Sequence, residues 1–253
     1  MLLVAFCEAP ADFTITTDLV DRVLRAHGPN WVADNISDAP EAVRTWHGDG
    51  KGRAFFDLHR VGDYARDLQV RVPHGRFNGR RAPGDLMALT IFSIVRKLTQ
   101  TGCPVEAVVL VWDMDKQPAG RERALYQARA EATWASFKIV LGRPNAKREA
   151  WVLAGFDPAD DDEIERLRDV RQELGFAPNE HSERLDATDD LARRSAKRVH
   201  GLLIGKDHDR ERRCWMETDL DVLGRRGAGN GLCDFLGEVK DWIVPLLLRR
   251  SDG

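Results

Sequence analysis

Two apolar runs in this chain each end abruptly in an acid: Leu2 to Cys7 (LLVAFC) leads into Glu8, and Val108 to Trp112 leads into Asp113. A short, continuously apolar run suits a strand covered on both faces, and such strands belong to parallel sheets whose crossovers lay helices on either side. A third run, FKIVLG at 137–142, has the same texture. Segments with helical spacing lie between and after these runs. The first has Thr16 or Thr17 as cap, carries Leu19, Val20, Val23 and Leu24, and stops near Gly28. Others are expected at 84–102, about 121–136, 147–156, 160–174, 189–204 and 231–249. This alternation predicts an α/β fold with a mostly parallel central sheet and helices on both faces. Residues 31–82 are glycine-rich with only brief strand-like pieces (AFFDLH, LQVRV), and they read as an insertion or hairpin-rich excursion after the first helix. From about 158 the chain reads as a helical C-terminal extension. Residues 1–253 are expected to form a single domain.

Composition narrows the class. Hydrophobic residues at 43% beside charged residues at 31% give the profile of a soluble globular protein. No apolar run approaches the length of a membrane span, and the opening MLLVAFCEAP lacks the basic start of a signal peptide. Cys7, Cys103, Cys214 and Cys233 are scattered with no C-x-x-C pair, which argues against a zinc ribbon and for a reducing, cytoplasmic setting. The net charge of −3 excludes a generally basic coat, so a nucleic-acid partner must be gripped by a local patch. Arg76, Arg80 and Arg81, interleaved with Gly75 and Gly79, are the best candidates for such phosphate contacts.

In an open parallel sheet, ligands bind at the carboxyl ends of the strands, where Glu8 and Asp113 fall. Asp113 and Asp115 are two residues apart, so on an extended chain both side chains point the same way. Two partly desolvated carboxylates that close repel, and one of them stays protonated unless a cation intervenes. A hard dication such as Mg²⁺ takes oxygen ligands and retains several waters, so Glu8, Asp113 and Asp115 with a substrate phosphate make a suitable set. An ordinary solvated turn or helix cap is the competing reading of any lone D-x-D.

The order of short motifs resembles a known family. Glu8-Ala9-Pro10-Ala11-Asp12 resembles the E-G-P-[S/T]-D opening of Toprim domains of the overcoming-lysogenization-defect nuclease type, and VVLVWDMD resembles their apolar strand with D-x-D. Arg148 to Ala154 (REAWVLA) is similar to the segment after the third strand in these and related small stand-alone bacterial proteins. Lys197, the GLLIGK run ending at Lys206, and LCDFLGEVKDWI resemble the tail of that group. The likeness implies a Toprim-like Rossmannoid fold. It also implies phosphodiester chemistry dependent on Mg²⁺ or Mn²⁺, with Glu8, Asp12, Asp113 and Asp115 as metal ligands. Glu149 is then an additional carboxylate, and Lys206 neutralises charge on the phosphate. Ala9 departs from the family's glycine and Ala11 from its hydroxyl residue, and no G-x-x-x-x-G-K-[ST] motif of an attached ATPase domain occurs.

The function expected on these grounds is metal-dependent hydrolysis of DNA, ahead of RNA, in bacterial defence or repair with a separately encoded ATPase. Tyr64 and Tyr126 lie in no topoisomerase context, which favours hydrolysis over strand passage. The alternatives are a non-catalytic Toprim-like partner or regulatory subunit, which Ala9 and Ala11 favour, and a D-x-D phosphatase. The phosphatase pattern fits less well, because the motif lies mid-chain and is followed by Lys116-Gln117.

Overall fold

The three apolar runs become the three longest strands of the sheet. The computed structural model describes residues 1–71, 85–114, 118–145 and 147–251. Its elements, in chain order, are β1 (Leu2–Cys7), α1 (Pro10–His27), α2 (Asn30–Asn35), α3 (Pro40–Val43), β2 (Thr45–His47), β3 (Phe56–Asp57), α4 (Val61–Asp67), α5 (Asp85–Gln100), β4 (Ala107–Val111), α6 (Pro118–Glu131) and β5 (Lys138–Gly142). Helices make up the rest: α7 (Arg148–Ala154), α8 (Asp161–Leu174), α9 (Ala196–Leu203), α10 (His208–Met216), α11 (Leu220–Arg226), α12 (Leu232–Trp242) and α13 (Val244–Ser251).

β1 and β4 pair in parallel from Leu3↔Ala107 to Phe6↔Leu110, and β4 pairs in parallel with β5 from Ala107↔Lys138 to Val111↔Gly142. The other edge of β1 carries two short parallel strands in succession, β2 beside Leu2–Val4 and β3 beside Phe6–Cys7. Strand alternation sorts side chains into two cores. Leu3, Ala5, Cys7, Val109, Val111 and Val140 join α1, α7 and α12 on one face. Val4, Phe6, Val108, Leu110, Ile139 and Leu141 join α4, α5 and α6 on the other. The result is a Rossmann-like three-layer α/β fold. Among the described residues, no helix is long and apolar enough to cross a membrane.

Several expectations about element bounds are corrected. α1 starts at Pro10 with Ala9 at its cap position, about two turns before the expected Thr16 or Thr17 cap. Pro10 presets φ for the first helical position, and the Asp12 carboxylate accepts the Ala9 N–H at 2.9 Å, so the helix nucleates there. In the segment expected as an insertion or hairpin-rich excursion, the described strands form no hairpin with each other: β2 and β3 both pair in parallel with β1. The first half of 189–204 is turns, and a helix begins only at Ala196, where the Ser195 side chain accepts the Arg198 N–H. The expected helix over 231–249 is broken at Ile243, just before Pro245, whose missing N–H cannot continue it. Lys206 and Asp207 form the turn before α10, and the Asp207 side chain caps that helix by accepting the Arg210 N–H.

α7 is short, and Ala150, Trp151, Val152, Leu153 and Ala154 are all buried. Trp151 stacks on Phe235 of α12 with ring centroids 5.1 Å apart, and its indole N–H donates to the Asn230 carbonyl at 2.9 Å. Fully burying a large apolar side chain contributes roughly 1.5–3 kcal/mol. Packing of this kind, more than propensity, fixes where a seven-residue helix starts, and its first turn lies against the strand ends.

Candidate functional site

Because β3, β1 and β4 are parallel neighbours, their carboxyl ends lie side by side. β3 ends in Asp57, across from Cys7; β1 runs into Glu8; β4 runs through Trp112 into Asp113. Glu8 and Asp113 are both half-buried. The Asp113 carboxylate accepts the backbone N–H of Arg148, the first residue of α7, at 3.1 Å. The acid thus satisfies a donor that the helix leaves unpaired. The Asp113 carbonyl accepts from the Arg121 guanidinium, which lies 4.6 Å over the Trp112 ring.

The side chain of Arg148 turns the other way, into a nest of acids. It is 11% exposed, and its Nε lies 3.3 Å from Asp12 Oδ1, Nη2 lies 3.8 Å from Glu149, and Nη1 donates to Glu211 at 2.6 Å. Glu211, on α10, also meets His200 Nε2 at 3.1 Å and His208 Nδ1 at 3.5 Å. Arg148 ties Asp12, Glu149 and Asp113 together at one end of the sheet, and Glu8 is near enough for its charge to act on Asp12. The neighbouring pair of Lys147 and Lys197 shares Asp190.

Two acids here titrate far from their usual range, in opposite directions. Burial pushes Asp12 up to about 6; Arg148 and the Ala9 N–H pull it down, and the charges of Glu8 and Glu149 push it up further. Burial also works against ionised Glu211. The hydrogen bond from His200 and the charge and hydrogen bond of Arg148 outweigh it, and hold that carboxyl at about 2. A depressed acid stabilises the folded state above its unfolded value, near 4.5, and the contribution is lost as pH falls toward 2. The shift corresponds to about 3 kcal/mol. We therefore expect Glu211→Gln to be less stable at neutral pH and to lose much of the wild type's acid-limb dependence between pH 4.5 and 2. Urea unfolding followed by circular dichroism across that range checks it, and parallel pH curves for the two proteins would rule it out.

Asp115, Arg76, Arg80 and Arg81 lie outside the described residues. Lys206 is exposed, one residue before the Asp207 cap of α10. Sequence reasoning missed Glu211, His200, Asp57 and the part played by Arg148. Phe55-Phe56 running into Asp57 repeats, in miniature, the pattern that marked Glu8 and Asp113. Glu211 has no such signal, sitting among charged residues on a polar helix.

Among the described residues, no three His, Cys, Asp or Glu side chains are arranged to hold a metal ion. The donor chemistry nevertheless suits one. Glu8 and Asp113 offer carboxylate oxygens from adjacent strand ends, and Mg²⁺ commonly takes only one or two protein carboxylates, completing its shell with water and substrate phosphate. Asp12 already spends one oxygen on the Ala9 N–H and the other on Arg148. Comparison with protein-family models, curated proteins and solved structures gives no match to this chain, so its functional reading rests on these residues.

Proposed function

We propose that this chain is a Toprim-like, divalent-metal-dependent phosphodiesterase that hydrolyses DNA. The observation that carries the reading is the placement of Glu8 and Asp113 at the carboxyl ends of adjacent parallel strands. Glu8 and Asp113, with Asp115, would hold Mg²⁺ or Mn²⁺. The bound ion would draw charge from the scissile phosphate and lower the pKa of the attacking water. Asp12 fixes the turn that presents Glu8, through its bond to the Ala9 N–H. Arg148 balances the charge of Asp12 and Glu149, so that these acids remain packed behind the ligands. Lys206 adds a positive charge toward the phosphate, and a separately encoded ATPase in a defence or repair setting belongs to the same proposal.

Arg76, Arg80 and Arg81 supply the backbone contacts in this scheme. Their joint replacement by alanine is expected to weaken DNA binding and to flatten its salt dependence by about 2–3 units of slope, since each lost phosphate contact removes about 0.9. Gel-shift titrations in Ca²⁺ across salt concentrations measure this, and an unchanged slope means those arginines only face solvent. The reading itself is tested with supercoiled plasmid and Mg²⁺ or Mn²⁺, with and without chelator. Nicked or linear product that chelator suppresses is expected; intact plasmid under every metal contradicts it.

One observation favours a second reading, a non-catalytic partner subunit. The Arg148 guanidinium already supplies, among Asp12, Glu149 and Glu211, the positive charge that an ion would bring. Absence of any Mn²⁺ binding to the purified protein would decide for it.

A further inference from the structure

Beside the Asp113 strand end lies a separate cavity of about 220 Å³. It is walled by Met114, Arg143 and Asn145 from the ends of β4 and β5, by Glu122 of α6, and by Gly231 and Asp234 at the start of α12. Arg143 is its buried cation, with a side chain only 7% exposed. Nη1 pairs with Glu122, and Nη2 donates to Asp234 Oδ2 at 2.7 Å. Nε is buried and has no hydrogen-bond partner among the described residues. Nε and Nη2 form one edge of the guanidinium, the fork that takes two oxygens of a carboxylate or phosphate at once. Asp234 fills half of that fork.

The fixed and exchangeable parts are distinct. The guanidinium is held 4.7 Å over the Tyr126 ring. Its acid partners Glu122 and Asp234 are 48% and 57% exposed, so either can turn to water at little cost. Gly231, at φ +86°, brings the start of α12 against Arg143; a Cβ there would meet the Arg143 carbonyl oxygen at 2.2 Å. The positive end of an eleven-residue helix and the guanidinium therefore border the same space. The fully buried Asn230 holds this turn, donating to the Ala150 carbonyl and Ser182 and accepting the Leu232 N–H.

We propose that this cavity is a subsite for a backbone phosphate of the nucleic acid, next to the one that is cut. Two oxygens of that phosphate replace Asp234 on the Nε–Nη2 fork of Arg143. The identity of the substrate rests on the phosphodiesterase reading, whereas the binding event needs no metal. The probe is a fluorescent single-stranded oligodeoxynucleotide without terminal phosphate, titrated by anisotropy in EDTA across salt concentrations. Arg143→Met is expected to weaken binding about tenfold and to reduce the salt slope by about 0.7, one single-strand phosphate contact. Arg143→Lys, which keeps the charge and loses the fork, is expected to weaken it as well. Asp234→Asn removes a competing charge and is expected to tighten binding several-fold, an outcome a purely structural ion pair would not give. Unchanged affinity in Arg143→Lys, or no tightening in Asp234→Asn, overturns the subsite even if Arg143→Met fails to fold. Arg143-dependent binding without any metal-dependent plasmid cleavage by the wild type supports the subsite and sinks the nuclease reading. Cleavage without Arg143-dependent binding does the reverse.

Discussion

Replacing Arg148 with methionine is expected to lower the unfolding free energy by about 3–5 kcal/mol at neutral pH, the usual cost of leaving buried charges without their partner. Glu211 and Asp12 are both buried, and Arg148 reaches them and Glu149 at once. Against a total stability of about 5–15 kcal/mol this is a severe loss. Its pH dependence has a definite sign. Asp12 already sits at about 6, above its unfolded value, and Arg148 is among the influences holding it down. Without the guanidinium it rises further, and the cost of ionising it grows as pH increases through that value. The deficit should therefore be smaller at pH 5 than at pH 7. Adding Glu211→Gln removes one of the stranded charges, so the double variant should be less destabilised than the sum of the two singles. Urea unfolding at both pH values measures all three variants, and a neutral-pH loss below about 1 kcal/mol would show that the acid nest tolerates its own charge.

What the sequence revealed and what it hid follow from the range of the forces involved. β1, β4 and β5 were legible because strands buried on both faces must be apolar without interruption, and LLVAFC, AVVLV and KIVLG leave few other options. Their parallel pairing puts the residues that follow β1 and β4, Glu8 and Asp113, at the same end of the sheet. β2 and β3 are three and two residues long, too short for any periodicity to register, and only the edge of β1 gives them meaning. α10 was not legible as a helix because its sequence, HDRERRCWM, is mostly polar. Its stability comes from tertiary pairs that a local reading cannot see. Arg210 binds Glu163 of α8 through two hydrogen bonds of 2.7 and 2.8 Å, and Glu211 binds Arg148. The same limit hid Glu211 and His200 from the candidate site, since 63 residues separate Glu211 from the arginine it holds.

The second large effect concerns Asp113. Asp113→Asn is expected to reduce metal-dependent cleavage about a thousandfold, because a carboxylate that holds the ion supplies several kcal/mol of transition-state stabilisation through it. The amide keeps an oxygen that accepts the Arg148 N–H, so α7 retains its cap and the thermal midpoint should move little. Asp113→Ala removes that acceptor as well, and should cost about 0.5–2 kcal/mol in stability as lost helix caps do. The pair separates the two duties of one side chain: activity falls in both variants, and stability falls in the alanine variant alone. Equal cleavage by Asp113→Asn and wild type would remove Asp113 from the chemistry.

The central claim, that Glu8 and Asp113 hold a divalent ion between adjacent strand ends, is tested most directly by calorimetric titration of Mn²⁺ into the wild type, Glu8→Gln and Asp113→Asn. Saturable binding to the wild type is expected, weakened at least about tenfold by either substitution, which is about 1.4 kcal/mol per site. Binding of equal strength in all three proteins, or no binding to the wild type, would contradict it.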